Sequence, residues 1–165
     1  MQTQPTSNRM FSHLVLFDMH TTFFPKVIDG ISDGDAHNRL NTKANHIAWL
    51  TGSFVQQRYE LANDLGIDKK QSAEELYANN KGIQDDITYP SLAAFKKDLD
   101  VISPLLKDAL LQVSDQKLDE KFEMMPGMMM SHYDLISFII YREANIIGQI
   151  ALWRRLLNYE AMKYM

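Results

Sequence analysis

Cysteine is absent from the 165 residues. That excludes disulfides, thiolate catalysis and cysteine-ligated zinc, and it fits a reducing compartment, so a cytoplasmic protein is expected. Glycine (7) and proline (5) are scarce, and no glycine-rich phosphate loop is found. Histidine is also sparse at 5, so any metal site would draw on few nitrogen ligands. Positive charge is not in excess: 17 Lys and Arg against 21 Asp and Glu give a net charge of −4. Nucleic-acid-binding domains normally carry a basic stripe that releases counterions, so no nucleic-acid partner is expected. No run approaches the ~18 uncharged apolar residues that a membrane span needs. The first residues, MQTQPTSNRM, lack a charged segment followed by an apolar core, so neither a secretory signal nor a membrane partner is expected.

What is present is helical periodicity in a chain whose length suits one domain, at a prior of roughly 150 residues each. Four long helices are predicted. The first runs from about Asn8 to Thr22 or beyond, with Phe11, Leu14, Phe17, Thr21 and Phe24 on one face, until Pro25 kinks or ends it. The second runs from about Leu40 to Leu65, with Gly66 as its C-terminal cap. Its apolar stripe is Leu40, Ala44, Ile47, Leu50 or Thr51, Phe54, Leu61 and Leu65, flanked by a polar-aromatic strip of His46, Trp49, Ser53, Gln57 (or Gln56) and Glu60. Periodicity fades from Ile67 to Pro90, which reads as a long loop with a helical turn near Ala73 to Tyr77. Ser91 starts the third helix, in which Pro104 should introduce a kink or a break. Residues 114 to 130 read as a connection. Ser131 and Asp134 have capping-box spacing for the fourth helix, which should end near Asn158. Four amphipathic helices bury their stripes most simply as an all-α four-helix bundle.

Few residues announce chemistry. There is no HExxH and no pair of histidines at i, i+4, and no nucleophile elbow. His13 and His20, two turns apart, read as polar residues at a helix surface. His46 reads either as a groove-facing ligand or base, or as a partly buried ring satisfied by nearby backbone. His132, in the first turn of a helix whose dipole disfavours imidazolium, should be neutral and exposed. Met124, Met125, Met128, Met129 and Met130 could suit copper(I), but without histidine or cysteine among them they read as an apolar lid over one end of the helices. Arg142 stands in an apolar stripe between Ile139 and Ile146. It must either snorkel outward or be held inside by acceptors.

Three stretches resemble a known family. Asn45-His46-Ile47-Ala48-Trp49-Leu50-Thr51-Gly52-Ser53-Phe54 is similar to the second helix of DinB-like (YfiT-like) four-helix bundles. Tyr89-Pro90-Ser91-Leu92 is similar to the start of their third. Arg142-Glu143-Ala144-Asn145-Ile146-Ile147-Gly148-Gln149-Ile150, continuing to Arg154-Arg155-Leu156-Leu157, resembles their fourth, which typically reads H-E-A-Y-H-x-G-Q-I-x-x-L-R-R-x-L. The resemblance spans almost the whole chain and implies a single DinB-like domain over residues 1–165 that forms a homodimer. In that family three histidines hold a divalent metal, and their positions fall here on Ser53, Arg142 and Ile146. A hydroxyl, a fixed cation and a hydrocarbon replace the ligands, so no metal and no other cofactor is expected.

The expectation is therefore a metal-free binding or accessory protein with no assigned catalytic residue. The alternative is an enzyme of altered chemistry that binds a small anionic molecule near Arg142. Candidate groove residues are His46, Trp49, Ser53, Arg142, Asn145 and Gln149. Arg142 is expected to replace the charge of the missing ion and to tie the groove together through Ser53, Asn145, Gln149 or an acid such as Asp18, with Glu143 excluded because adjacent helical residues face different ways.

Overall fold

A computed structural model describes residues 4–164 as a predominantly helical chain. The long helices are α1 (Phe11–Ile28), α3 (Ile47–Asp64), α4 (Leu92–Gln112) and α6 (His132–Leu156), and two short ones are α2 (Asp33–Ala36) and α5 (Asp115–Asp119). A hairpin of β1 (Lys121–Met125) and β2 (Met128–Ser131) precedes α6.

Side-chain contacts fix the direction of each helix. His13 meets Ser137 at 2.9 Å, His20 meets Glu143 at 3.0 Å, and Arg154 donates to the Val27 carbonyl, so α1 and α6 run parallel. Phe95 lies against Gly52 and Ser103 bonds Arg58, so α3 and α4 are also parallel. Phe24 stacks on Phe54 while Thr21 bonds Arg58, and Trp153 reaches Asn45 while Arg142 reaches Ser53, so α3 opposes both α1 and α6. The order is up, down, down, up. A parallel α3–α4 pair needs the chain to travel back along their length, which is the physical reason for the long connection over 65–91. That connection is packed: Gln71, Ala73, Tyr77 and Tyr89 are buried, with 3-10 turns at Glu74–Leu76 and Ala78–Asn80.

Local signals set the helix ends. Ser91 Oγ accepts from the Ala94 N–H at 3.1 Å, and Ser131 with Asp134 forms the expected capping box. Gly66 (φ +92°) and Asn158 (φ +65°) take left-handed positions after α3 and α6. The bonds from the Ile67 and Tyr159 N–H groups to the Ala62 and Arg154 carbonyls complete a Schellman closure at each end.

Several expectations are corrected. Of the two alternatives at each proline, an ending at Pro25 and a break at Pro104 are not seen: α1 continues to Ile28 and α4 runs on through Pro104. Helix α3 starts at Ile47, not near Leu40, because Leu40 and Asn41 have positive φ and His46 caps the helix. The 114–130 connection holds α5 and the hairpin. The methionines form no lid: Pro126 and Gly127 turn the strands back into a hairpin, and Met124, Met125, Met128 and Met129 are exposed, Met125 and Met129 more than half so. His132 is buried rather than exposed, held between the Glu120 carbonyl and Asp64 of α3. On length and mean hydropathy α6 reaches the range of a membrane-spanning helix. Its inner face, with Ile139, Ile146 and Ile150, belongs to the core, and its outer face carries exposed Phe138, Tyr141, Leu152 and Leu156.

At the centre lies an ion network. Arg58 and Glu143 are both fully buried and pair in a two-pronged contact, Nε to Oε1 at 2.6 Å and Nη2 to Oε2 at 3.0 Å. Nη1 of Arg58 donates to Thr21 and Ser103, the guanidinium lies 4.1 Å from the Phe17 ring centroid, and His20 completes Glu143. His20 is thus a buried partner and not a surface residue. Burial pushes the Glu143 carboxyl up, but the charge of Arg58 and the bonds from His20 and Arg58 outweigh it and hold the group below its ordinary value.

Candidate functional site

Trp49, Ser53, Gln56, Gln57 and Glu60 lie at helical spacing along one face of α3. Arg142 of α6 approaches that face, and Tyr77, Asn80, Lys81 and Gly82 of the long connection close it. Together they line a cavity of about 230 Å³. Gly52 makes the wall possible: a Cβ at this position would stand 1.8 Å from Tyr77 Oη, so only glycine lets the phenol rest on α3.

The cavity wall is polar and incompletely paired. Gln56 donates to Glu60 and accepts from Gln71. Lys81 donates to the Glu75 carbonyl. Arg142 Nη2 makes a long 3.3 Å bond to Ser53 Oγ and meets no carboxylate within salt-bridge distance among the described residues. Gln57 is 3% exposed, and neither its Oε1 nor its Nε2 has a partner among the described residues. Trp49 Nε1 is likewise buried and unpaired. Buried polar groups are nearly always satisfied, and an unmade bond costs about 1–3 kcal/mol. The three unpaired atoms are sealed behind the cavity lining; the group left to meet a bound anion is the Arg142 guanidinium, with Lys81 and the Glu60 carboxylate also on the wall.

The other candidate residues fall elsewhere. Asn145 and Gln149 bond each other on the exposed side of α6. Asp18 pairs with Lys107, not Arg142. Ile146 is buried in the core. His46 accepts the Trp49 N–H at 3.1 Å as the cap of α3, which fixes where Trp49 and Ser53 emerge. Its ring stands 5.1 Å from that of His37, beside a second cavity of about 640 Å³ near Tyr89.

Burial, reinforced by neighbouring His37, pulls the His46 pKa down to about 4 from an ordinary 6.5. A depressed imidazole pKa favours folding above the unfolded value, and that contribution is lost as pH falls from about 6.5 towards 4. His46→Asn keeps a good capping side chain. Chemical denaturation across this window is expected to show a shallower loss of stability in the variant than in the wild type. Equal slopes would contradict the assignment.

No protein-family profile matches the chain, and no curated protein matches it. No group of three or more His, Asp or Glu side chains among the described residues could hold a metal ion.

Sequence reasoning found Trp49, Ser53 and Arg142 but missed Gln57 as the unpaired group. It also missed Arg58, although a signal was present. The stripe Phe54, Leu61, Leu65 of α3 has a gap of about two turns that Arg58 fills from the same face.

Proposed function

We propose that this chain is a DinB-like four-helix bundle that lacks the family's metal site and binds a small anionic molecule in the cavity between α3, α6 and the 65–91 connection. The up-down-down-up course of the four long helices supports the bundle reading. Ser53, Arg142 and Ile146, at the positions matched to the metal ligands, do not fit a divalent cation: the hydroxyl is a weak donor, the guanidinium repels it, and the isoleucine has no lone pair. The observation that carries the binding reading is Arg142, a permanent cation with no carboxylate within salt-bridge distance among the described residues, in the wall of a cavity that Trp49 and Ser53 also line. A carboxylate would accept charge-assisted bonds from the Arg142 guanidinium. No residue in the cavity is paired as a nucleophile with its base, so the reading is a binding protein and not an enzyme.

Thermal denaturation tests this at constant ionic strength. A saturable carboxylate at ten times its dissociation constant adds about 1.4 kcal/mol. For a chain of this size that raises Tm by roughly 3–6 °C. Acetate in place of chloride is expected to produce such a rise in the wild type and none in Arg142→Met. An equal response in both proteins, or stoichiometric zinc or nickel retained through dialysis against a chelator, would overturn the proposal.

A further inference from the structure

Half of the chain's ten methionines, Met124, Met125, Met128, Met129 and Met130, fall within the β1–β2 hairpin. They form no lid over the helices, so burial does not explain them. The strand register sorts them by face. Residues paired directly across an antiparallel ladder point the same way, and neighbours along a strand point opposite ways. Met130 pairs with Phe122 and Met128 with Met125, so these four share one face. Met129 pairs with Glu123 on the other. The register slips by one residue between Glu123 and Met125, a bulge that sets Met124 and Met125 together against Met128. Met128 thus has two methionines across the ladder and Met130 two positions along its own strand. Cβ atoms across a ladder lie about 4.5–5.5 Å apart, and unbranched, rotatable methionine chains let their sulfurs close on one point. The scaffold is held at both ends. Glu123 Oε1 accepts from the Gly127 N–H at 2.8 Å beside the turn, and the Phe122 ring stands 5.2 Å from that of His132 at the root. Glu123 is the one acid on the two strands, and it lies on the far face with that bond made. The methionine face therefore offers soft sulfur and no carboxylate. Thioethers select copper(I), whereas magnesium, calcium and manganese take oxygen ligands. No cysteine in the chain competes for a soft ion.

We infer that the β1–β2 hairpin is a copper(I) site made of the thioethers of Met124, Met125, Met128 and Met130, with Met128 at its centre. It shares no residue with the cavity beside Arg142, and its failure would leave the anion-binding reading untouched.

Silver(I), an ion of the same charge and softness with no redox step, is the probe. Silver nitrate is titrated into the intact chain in chloride-free buffer and followed by ¹H–¹³C spectra of the methionine methyl groups. One equivalent is expected to move the signals of Met124, Met125, Met128 and Met130 and to leave that of Met129 in place. Met129, at 59% the most exposed of the five, is the control for sulfur that merely meets silver in solvent. Loss of a supporting group alone lowers metal affinity by about 10–100-fold, so Met128→Leu is expected to weaken silver binding by at least about tenfold and Met129→Leu by no more than about twofold. A thioether has no proton to lose, so affinity should be equal at about pH 5.5 and pH 7.5, whereas an imidazole site would weaken at the lower value. The wild-type methyl signals decide the matter by themselves if Met128→Leu disturbs the hairpin. Movement of Met129 together with the others, equal losses in the two variants, a steep fall in affinity on acidification, or no movement at one equivalent overturns the copper(I) site.

Discussion

Replacing Arg58 by methionine is expected to lower the stability of the folded chain by about 3–5 kcal/mol, the usual cost of leaving one member of a buried ion pair without its partner. Total stabilities run to only about 5–15 kcal/mol, so this is a large share, and Tm should fall by roughly 6–20 °C. The reason lies in Glu143. It is fully buried and takes both prongs of the guanidinium, with His20 on one oxygen. Without Arg58 the desolvation that pushes its pKa up is no longer outweighed, and the carboxyl must protonate or draw in water. Removing both charges with apolar side chains of similar volume is a different experiment. The Arg58→Met/Glu143→Leu double variant is expected to recover most of the loss, since a packed hydrophobic pair is often as stable as a buried ion pair. Denaturant melts of the wild type, both single variants and the double variant give the coupling energy. Additive single losses would contradict the account of the core.

Gly52→Ala and Gly148→Ala are the same chemical change with opposite expected signs. At Gly52 the new Cβ would meet Tyr77 Oη at 1.8 Å, Tyr77 Cζ at 2.2 Å and Phe95 Cζ at 2.7 Å. Phe95 is fully buried and Tyr77 nearly so, so neither can yield without disturbing the core. Overpacking of this kind costs about 1–3 kcal/mol. Because Tyr77 also walls the cavity, acetate binding should weaken together with stability. At Gly148, in the interior of α6 and exposed, the new Cβ meets nothing within 4 Å. There the gain in helix propensity should raise stability by roughly 0.5–1 kcal/mol. Thermal melts of the two variants separate the contributions, and a neutral Gly52→Ala would mean that Tyr77 does not rest on α3.

The parts of the fold written in short-range chemistry were legible. Ser91 and Ser131 with Asp134 act through side-chain bonds to residues within a few positions of themselves, and Gly66 through the left-handed backbone it alone takes without strain. Hydrophobic spacing located the four long helices. What could not be read was which way a side chain faces when its neighbour is equally polar. Arg142 and Glu143 are about 100° apart on α6. Periodicity put Arg142 in the apolar stripe and left open whether it snorkels outward or is held inside; the fully buried residue is Glu143, and Arg142 lies at the edge of the core. The partner that makes a buried glutamate tolerable, Arg58, is 85 positions away. No local pattern carries that pairing. The start of α3 was placed too early for a related reason. Leu40 and Ala44 keep the helical spacing, but the loop is held by Arg39 reaching the Lys43 and Ala44 carbonyls and Asp85. In the same way Trp49, Ser53 and Arg142 were recognisable as groove residues, while the burial of Gln57 without a partner depends on tertiary packing that no local pattern carries.

The chain carries its own internal control for the central claim, that the cavity beside Arg142 takes an anion without a metal. It has two tryptophans. The Trp49 side chain lines the cavity, whereas the indole N–H of Trp153 donates to the Asn45 carbonyl at 2.9 Å. A ¹H–¹⁵N correlation spectrum resolves the two indole signals during a titration with acetate at constant ionic strength. The account predicts that the Trp49 signal moves saturably while the Trp153 signal stays, and that both stay in Arg142→Met. A stationary Trp49 signal in the wild type, or equal movement of both indoles, would contradict it.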